Sequence, residues 1–446
     1  MASEKIRSLK LIKRENIVSK FKTERILVFF VLFFSLLMEV FINYLALPSV
    51  IRFFNDLCIV LIAIFSFGRI SSTFKRLKIM PVIYCIMFYL LLGIFSAIIN
   101  FVELRLYIWA FRNTFRGILY LIFCVVYLDS IDLKNVFNVL YYLSWLHLAL
   151  CLIQYFALGL KQDDVGGIFG GLGSMEPVTF MVILLAYYLV AYLEDKEKLR
   201  RLIFIIFSSM VVSALAEERF AYIMFVLIFI GAFLLTKPSL KKPIIAFIAI
   251  IALAIGLYLM KLIFPDVFKV LTDFDKIFEY ASATYEEGYK IPRLGAIGFI
   301  NETFFQGDLL KLFFGYGFGA TETSELAIFQ SEFYQIYGEY NYRWFTHQWV
   351  FLEGGIVGLV SYISIFVAVF FCVISRIKER NGYTKTLIST GVIMALYSIV
   401  LVFYNATLKN DMSYIAFFGL AIGLIGCKPP CYVKKSLGEN NFNKEI

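Results

Sequence analysis

Residues 79–99 read IMPVIYCIMFYLLLGIFSAII, a run of 21 residues without one charged side chain. A helix of about 20 apolar residues is as long as the hydrocarbon core of a bilayer is thick. The run shows no alternation of apolar and polar residues, which a membrane strand would need. Because a helix also satisfies its own backbone hydrogen bonds inside lipid, the run is predicted to be a transmembrane helix.

Comparable apolar runs recur along all 446 residues. Apolar types make up 61% of the chain, charged types only 17%, and the mean hydropathy is +0.80. A soluble protein carries roughly 25% charged residues, so lipid must surround much of this chain. The predicted fold is an all-α polytopic membrane protein with about 12 transmembrane helices. The predicted spans are residues 26–47, 50–68, 79–99, 107–128, 136–159, 175–193, 201–215, 220–236, 243–264, 347–375, 386–405 and 411–427.

The lysines and arginines indicate how these helices are oriented. If both termini are cytoplasmic, 28 of the 42 basic residues fall in cytoplasmic segments, and half of the other 14 lie in one large outer loop. An excess of Lys and Arg marks the cytoplasmic loops of membrane proteins. We therefore predict that both termini lie inside the cell. The net charge of +9 follows this topology and indicates no nucleic-acid partner.

The topology divides the chain into five parts. The large loop mixes acidic residues with Tyr, Phe and Gly, and residues 276–287 and 294–305 have helix-like apolar spacing. A loop of this length is usually functional, so we expect a small helical cap over the membrane domain. The parts are a cytoplasmic basic tail (1–25), transmembrane helices 1–9 (26–264), a large extracytoplasmic loop (265–346), transmembrane helices 10–12 (347–427) and a cytoplasmic tail (428–446).

The chain has only two histidines. His147 lies inside the span 136–159, and we interpret it as a packing residue with a hydrogen-bond partner. His347 lies where the large loop re-enters the membrane, between Trp344 and Trp349. An interfacial aromatic belt would explain the tryptophans, but it does not explain a histidine, whose ordinary pKa suits proton transfer near neutral pH. His347 is therefore a candidate general base, with interfacial decoration as the alternative.

Several arginines lie near the predicted outer face. Arg112 and Arg116 are four residues apart in the span 107–128, so they share a helix face beside Arg105. Charges inside a membrane are costly, and this group is interpreted as an anion site, with snorkelling as the alternative for any one of them. Arg219 in a short outer turn and Arg293 in the large loop either hold an anion or pair with neighbouring glutamates.

Other sequence patterns point to little chemistry. The clusters Gly166–Gly173 and Gly315–Gly319 match no phosphate-loop spacing and are predicted to be flexible turns on the outer face. Gly354, Gly355 and Gly358 are predicted to permit close helix packing. The sequence has no metal-ligand spacing and no Ser or Cys nucleophile arrangement, and none of its seven cysteines lies in the large loop. We expect neither a metal nor a cofactor.

The order of these features over residues 160–380 resembles the O-antigen polymerase and O-antigen ligase superfamily of bacterial membrane glycosyltransferases. Gly173-Ser-Met-Glu-Pro177 resembles its Gly…Pro-Asn element, with Val178 in place of Asn. Glu218-Arg219 resembles its Ser-Arg element, with Glu in place of Ser.

Two further elements carry the same resemblance. Arg293, followed by Gly315-Tyr-Gly-Phe-Gly319, resembles the loop arginine and its downstream Gly-x-Gly. The stretch from His347 to Gly358, HQWVFLEGGIVG, resembles the His-Asn-x-x-Leu…Gly-x-x-Gly element, with Gln348 in place of Asn.

The resemblance implies a GT-C-like, metal-independent enzyme of the bacterial inner membrane that acts on undecaprenyl-diphosphate-linked glycans. By position, Arg219 and Arg293 would bind the donor diphosphate and His347 would be the general base. Guanidinium groups stabilise the charge of a leaving diphosphate, and a neutral imidazole can accept the proton of the incoming sugar hydroxyl. Further candidates are Arg112 and Arg116 for the diphosphate, and Trp344, Trp349, Tyr340, Tyr342 and Glu218 for the rest of the substrate.

Three functions remain open from the sequence. The leading one is a polymerase of repeat units for capsule, exopolysaccharide or O-antigen, working in membrane lipid with a chain-length regulator and a flippase as candidate partners. The nearest rival is an O-antigen ligase. A third, of another class, is a flippase or transporter of the lipid-linked unit, for which Glu39, Asp56, Arg112 and Arg116 within the spans would supply a polar pathway.

Overall fold

The computed structural model describes residues 22–66, 68–170, 175–273, 275 and 291–429, and it contains helices but no strand within those ranges. The α-helices are α1 (Lys22–Glu39), α2 (Phe53–Ser66), α3 (Arg69–Leu77), α4 (Met80–Ile99), α5 (Leu104–Tyr127), α6 (Ser130–Leu152), α7 (Met175–Leu193), α8 (Leu199–Leu215), α9 (Arg219–Leu235), α10 (Lys241–Ile263), α11 (Pro265–Thr272), α12 (Ala296–Ile300), α13 (Leu309–Phe314), α14 (Glu332–Tyr337), α15 (Thr346–Ile374), α16 (Gly382–Tyr404) and α17 (Ser413–Gly426).

Nine helical segments among the described residues are long and apolar enough to cross a membrane. They correspond to nine of the predicted spans, so an all-α, multi-pass membrane protein is confirmed. The other three predicted spans also form helices, but α8 and α9 have 17 residues each and α17 has 14. Twelve crossings therefore stay a prediction.

The segments predicted to be cytoplasmic meet at one end of the helix bundle. Arg69, the first residue of α3, pairs with Glu24 near the start of α1, with 2.9 Å between Nη1 and Oε1. Lys385 near the start of α16 pairs with Glu194 after α7 at 2.6 Å. These contacts place the basic loops together, as an alternating up-and-down course of the helices requires.

The segments predicted to be extracytoplasmic meet at the other end. Glu176 at the start of α7 accepts a hydrogen bond from Asn410, between α16 and α17, at 2.8 Å. Arg52, before α2, lies 3.7 Å from Glu325 of the large loop. The structure thus separates two sets of loops, and the side of the membrane on which each set lies stays a prediction.

The centre of the bundle is formed by α5, α7, α16 and α17. The apolar windows of α5, α7 and α16 are 72%, 89% and 78% buried and every residue of α17 is buried, whereas the windows of α4 and α10 are only 28% buried. The outer helices expose large apolar side chains such as Ile98 and Phe247. Lipid is the environment that would cover such side chains without cost, which explains their position at the periphery.

Helix α15 is broken at Gly355, where φ is 61° and ψ is −159°. The break leaves the carbonyl groups of Leu352 and Glu353 without partners in their own helix. They accept hydrogen bonds from the backbone N–H groups of Tyr316 at 2.8 Å and Gly317 at 3.1 Å. The hydroxyl of Ser96 on α4 also donates to the Glu353 carbonyl at 3.1 Å.

The donors belong to residues 315–319, the glycine loop, which lies in the bundle against the break in α15. A Cβ atom at Gly315 would be 2.5 Å from the backbone of Glu353, and one at Gly355 would be 2.4 Å from that of Phe313. The close packing predicted for Gly354, Gly355 and Gly358 is therefore confirmed at Gly355 and wrong at Gly354, where an added Cβ would meet nothing within 4 Å. The prediction of a free outer turn at the glycine loop is wrong, because its backbone is hydrogen-bonded to α15 and mostly buried.

Residues 291–345, called the cap, contain the short helices α12 to α14. The helix predicted from residues 294–305 is confirmed, since α12 continues as a π-helical turn over Asn301–Phe305. The predicted helix at 276–287 and residues 171–173 of the Gly166–Gly173 cluster lie outside the described residues. Residues 166–170 are buried and form a 3₁₀ turn, in which the N–H of Gly167 donates to Gln154 at 2.7 Å, so the flexible outer turn predicted for this part of the cluster is wrong. The cap has an aromatic core around Phe304, formed by Phe299, Phe333, Tyr337 and Tyr340.

Neighbouring glycines in α15 provide a test of the broken helix. We expect Gly355→Ala to destabilise the protein by about 2 kcal/mol or more, because a side chain there combines a positive φ with a backbone clash. Gly354→Ala is the matched control, since a Cβ at Gly354 meets nothing within 4 Å. The measurement is thermal unfolding of both purified variants in detergent, and equal melting temperatures would contradict the description of the break.

Candidate functional site

His347 lies in the first turn of α15, and two neighbouring segments fix its position. The N–H and the Oγ1 hydroxyl of Thr346 both donate to the carbonyl of Asn405, at 2.9 and 2.7 Å, which ties the start of α15 to the end of α16. The Nδ1 atom of His347 is 3.4 Å from the carbonyl oxygen of Val402. The ring also contacts the backbone of Arg293 in the cap. His347 is only 3% exposed.

Arg293 lies at the base of the cap and contacts the same helix end. The central carbon of its guanidinium is 5.1 Å from the ring centre of Phe345 and 5.6 Å from that of Tyr404. Cation–π contacts of this kind hold a guanidinium in place without neutralising its charge. The pairing with Glu286 or Glu287 considered from the sequence involves residues outside those described.

Arg219 is the first residue of α9, and its Nη2 donates to Glu217 at 2.8 Å. The next residue, Phe220, stacks on Tyr404 with the ring centres 3.7 Å apart. Tyr404 therefore contacts both the Arg293 guanidinium and the residue beside Arg219. His347, Arg293 and the residue beside Arg219 thus contact the last residues of α16. We call Arg219, Arg293 and His347 the histidine site, in which the Arg219 guanidinium is paired with Glu217.

Arg112 and Arg116 belong to a second group of side chains. They share a face of α5, as predicted, but that face points at carboxylates. Arg112 Nη2 is 2.7 Å from Asp56 on α2, and Arg116 forms a salt bridge with Asp411 between α16 and α17. Because a carboxylate already pairs with each guanidinium, the structure gives these two arginines less scope to bind a diphosphate than their sequence spacing suggested.

Lys409 lies at the centre of this second group and is fully buried. Its ammonium is 2.7 Å from Glu353 Oε2 on α15 and 3.7 Å from Glu322 Oε1 in the cap. The carbonyl of Lys409 accepts a hydrogen bond from Arg116 at 3.3 Å. Asp56, Arg112, Arg116, Glu322, Glu353, Lys409 and Asp411 together are called the ionic cluster.

Sequence reasoning did not find four members of the ionic cluster: Glu322, Glu353, Lys409 and Asp411. A signal existed for Glu353, a single acid within the apolar run of α15, where an unpaired charge would be costly. The other three lie in loops, where acids and lysines are ordinary. Only the folded chain shows that they pair.

The aromatic residues predicted to stack on sugars have different environments. Trp344 is 48% exposed, so its ring is available to a ligand. Tyr342 is fully buried and donates its hydroxyl to the Thr321 carbonyl at 2.7 Å. Trp349 is 6% exposed and is covered by the ammonium of Lys409, 4.1 Å from the ring centre. Tyr342 and Trp349 therefore cannot stack on a sugar in this conformation, because neither ring presents a free face.

The remaining sequence candidates have structural positions. His147 is fully buried, and its Nδ1 accepts a hydrogen bond from the N–H of Ile168 at 3.3 Å, which confirms its interpretation as a packing residue. Glu218 is 4% exposed and immediately precedes α9. Tyr340 packs in the aromatic core of the cap. Within the described ranges, no group of three or more His, Cys, Asp or Glu side chains is placed to hold a metal ion.

The ionic cluster is solvated at one edge. The side chain of Asp411 is 34% exposed, whereas that of Arg116 is 5% exposed. Burial raises the pKa of the Asp411 carboxyl, but the nearby guanidinium groups of Arg116, Arg112 and Arg52 lower it by more, so the pKa is below its ordinary value. Asp411 is therefore held as a carboxylate that compensates the buried Arg116.

No protein-family model and no curated protein sequence matches the chain. The likeness to the O-antigen superfamily thus rests on the sequence motifs.

The Arg116–Asp411 pair allows a stability test. We expect Asp411→Asn to destabilise the protein by about 3 kcal/mol, because it leaves a buried guanidinium without its carboxylate. The exposed pair of Asp266 and Lys269 supplies the control, and Asp266→Asn should leave the melting temperature unchanged.

Because the Asp411 pKa is already lowered, the stabilising effect of this carboxylate is present at neutral pH and is lost as the pH falls through that lowered pKa. Thermal unfolding at neutral and acidic pH would measure both effects, and an unchanged Asp411→Asn variant would contradict them.

Proposed function

We propose that the protein is a glycosyltransferase that polymerises lipid-linked oligosaccharide repeat units for capsule, exopolysaccharide or O-antigen. It would transfer the growing glycan from undecaprenyl diphosphate to the next lipid-linked unit. The observation that supports this best is the histidine site. His347, Arg293 and Phe220, the neighbour of Arg219, come from three distant parts of the chain and contact the end of one helix, residues 402–404.

The proposed chemistry needs these residue types. In the transfer, the bond between the anomeric carbon and the diphosphate oxygen breaks, and a bond to the acceptor hydroxyl forms. Arg219 and Arg293 would stabilise the negative charge that develops on the leaving diphosphate, since a guanidinium can form two parallel hydrogen bonds with phosphate oxygens. The imidazole of His347 would accept the proton of the acceptor hydroxyl.

The proposal also assigns a topology. Twelve helices cross the bacterial inner membrane in a GT-C-like arrangement, both termini are cytoplasmic, and the cap and the histidine site lie at the outer face. A lipid-borne donor would then reach the site from the bilayer. Because His347 is 3% exposed, the cap must move for the substrate to enter.

The test of the proposal uses His347→Ala and Arg293→Ala in cells that lack the native copy and in purified protein supplied with lipid-linked repeat units. We expect polymerisation to fall about 10²- to 10⁴-fold in each, the range for loss of a proton-transfer or charge-stabilising group. Arg343→Ala is the matched control, since Arg343 lies in the cap and contacts Tyr334. Undiminished polysaccharide length in both site variants would remove the proposed roles.

The ligase alternative is distinguished by the products of a deletion strain. A strain that lacks a polymerase makes glycans of a single repeat unit. A strain that lacks a ligase accumulates long glycans that are not attached to their final acceptor.

A second candidate function is transport of the lipid-linked unit, and the ionic cluster is the observation that favours it. Ionisable groups inside a membrane bundle often mark a transport pathway. Here the charges pair with one another, as Arg112 does with Asp56. Polymer made by purified protein in detergent, without a second compartment, would exclude pure transport. A chain-length regulator and a flippase are the expected partners of the polymerase.

A further inference from the structure

Two carboxylates of the ionic cluster face a single ammonium in a fully buried place. Glu322 and Lys409 have no exposed side-chain surface, and Glu353 is 2% exposed. The three side chains come from the cap, from the segment between α16 and α17, and from α15. No reaction step of the proposed glycosyl transfer uses them.

The charges of this group do not balance. With both glutamates ionised, Glu322, Glu353 and Lys409 carry a net charge of −1. The nearest further cation is Arg116, whose guanidinium is already paired with Asp411. A buried charge without a counter-ion is strongly unfavourable, so the group must either bind a cation or take up a proton.

The hydrogen bonds identify which carboxylate oxygen has no donor within the part of the chain described. Glu353 accepts from the Lys409 ammonium at 2.7 Å and from the N–H of Gly319 at 3.1 Å, so each of its two oxygens has a donor. Glu322 Oε2 accepts from Asn113 at 2.8 Å. Glu322 Oε1 is buried, lies 3.7 Å from Lys409 Nζ, and accepts no hydrogen bond within the part of the chain described.

We propose that Glu322 is a proton-binding site, and that the carboxyl group is protonated while the cap is seated on the bundle. Uptake of one proton converts the carboxylate to a carboxylic acid and brings the net charge of the three side chains to zero. The proton comes from solvent when the cap closes and returns to solvent when Glu322 is exposed. This assignment is independent of the glycosyl-transfer proposal.

The electrostatic surroundings of Glu322 agree with this assignment. Burial is the largest influence on its carboxyl and raises the pKa; Lys409 lowers it, Glu353 raises it, and Asn113 and Arg116 lower it, which together leave the pKa at about 7. Tyr89 of α4 and Tyr342 of the cap also face the group.

The position of Glu322 links the proton to the attachment of the cap. Glu322 belongs to the cap, whereas its partners Asn113, Glu353 and Lys409 belong to the bundle. Because the pKa is raised in the folded protein, the proton stabilises the seated cap fully below the ordinary pKa of a glutamate. That stabilisation is lost as the pH rises through about 7.

The experiment is infrared difference spectroscopy of the purified full-length protein in detergent, titrated between acidic and alkaline pH. We expect protonated carboxyl groups to lose their C=O stretch as the pH rises, with a component whose midpoint lies near neutral pH. Glu322→Gln should remove the part of this component that belongs to Glu322. Glu325→Gln should retain it, because Glu325 is a cap residue of the same type whose side chain is 79% exposed.

A second variant keeps the test decisive if Glu322→Gln does not fold. Glu353→Gln removes the neighbouring negative charge, so the midpoint should move about one pH unit or more toward acid. An absent signal, a signal whose intensity Glu322→Gln leaves undiminished, or a midpoint that Glu353→Gln leaves unchanged would overturn the proposal. A signal that depends on sodium concentration at constant pH would also overturn it, in favour of a bound metal cation.

Discussion

The carbonyl groups released where α15 breaks at Gly355 lie among packed helices, where each must find a hydrogen-bond donor. The glycine loop supplies two of these donors from its backbone. Side chains at Gly315 or Gly355 would keep the two backbones apart. The end of the bundle that carries the cap depends on this contact, because it brings the cap into the bundle and places Gly319 against the Glu353 carboxylate.

The first half of α15 connects the two groups of functional side chains. His347 lies in its first turn, Trp349 follows, and Glu353 lies just before the break. Trp349 contacts the Lys409 ammonium of the ionic cluster. Trp349 lies about half a helical turn after His347, the residue proposed as the general base. A displacement of this short helical segment would change both groups together.

The helices could be predicted from the sequence because each one is encoded locally, by an apolar run of suitable length. Every predicted span coincides with a helix, including the three that are too short to be confirmed as crossings. The proximity of Arg293 and His347 was expected only through motif order. The ionic cluster could not be predicted, since Asn113, Glu322 and Lys409 are far apart in the chain and nothing in their local sequence reports the pairing. The glycine loop was misjudged for a related reason: glycine spacing indicates a turn but not what packs against it.

Some of the contacts that hold the cap on the bundle are made by residues that follow the cap in the chain. Thr346 is bonded to Asn405, and Glu322 faces Lys409, both of which lie beyond α16. Synthesis proceeds from the N-terminus, so the cap is made before its counter-ion and its anchoring carbonyl exist. During biogenesis the cap therefore cannot complete these contacts until the last two helices have been inserted. Premature termination after α15 would leave a cap that can still bond to the break in α15 but lacks the Asn405 carbonyl and the Lys409 ammonium.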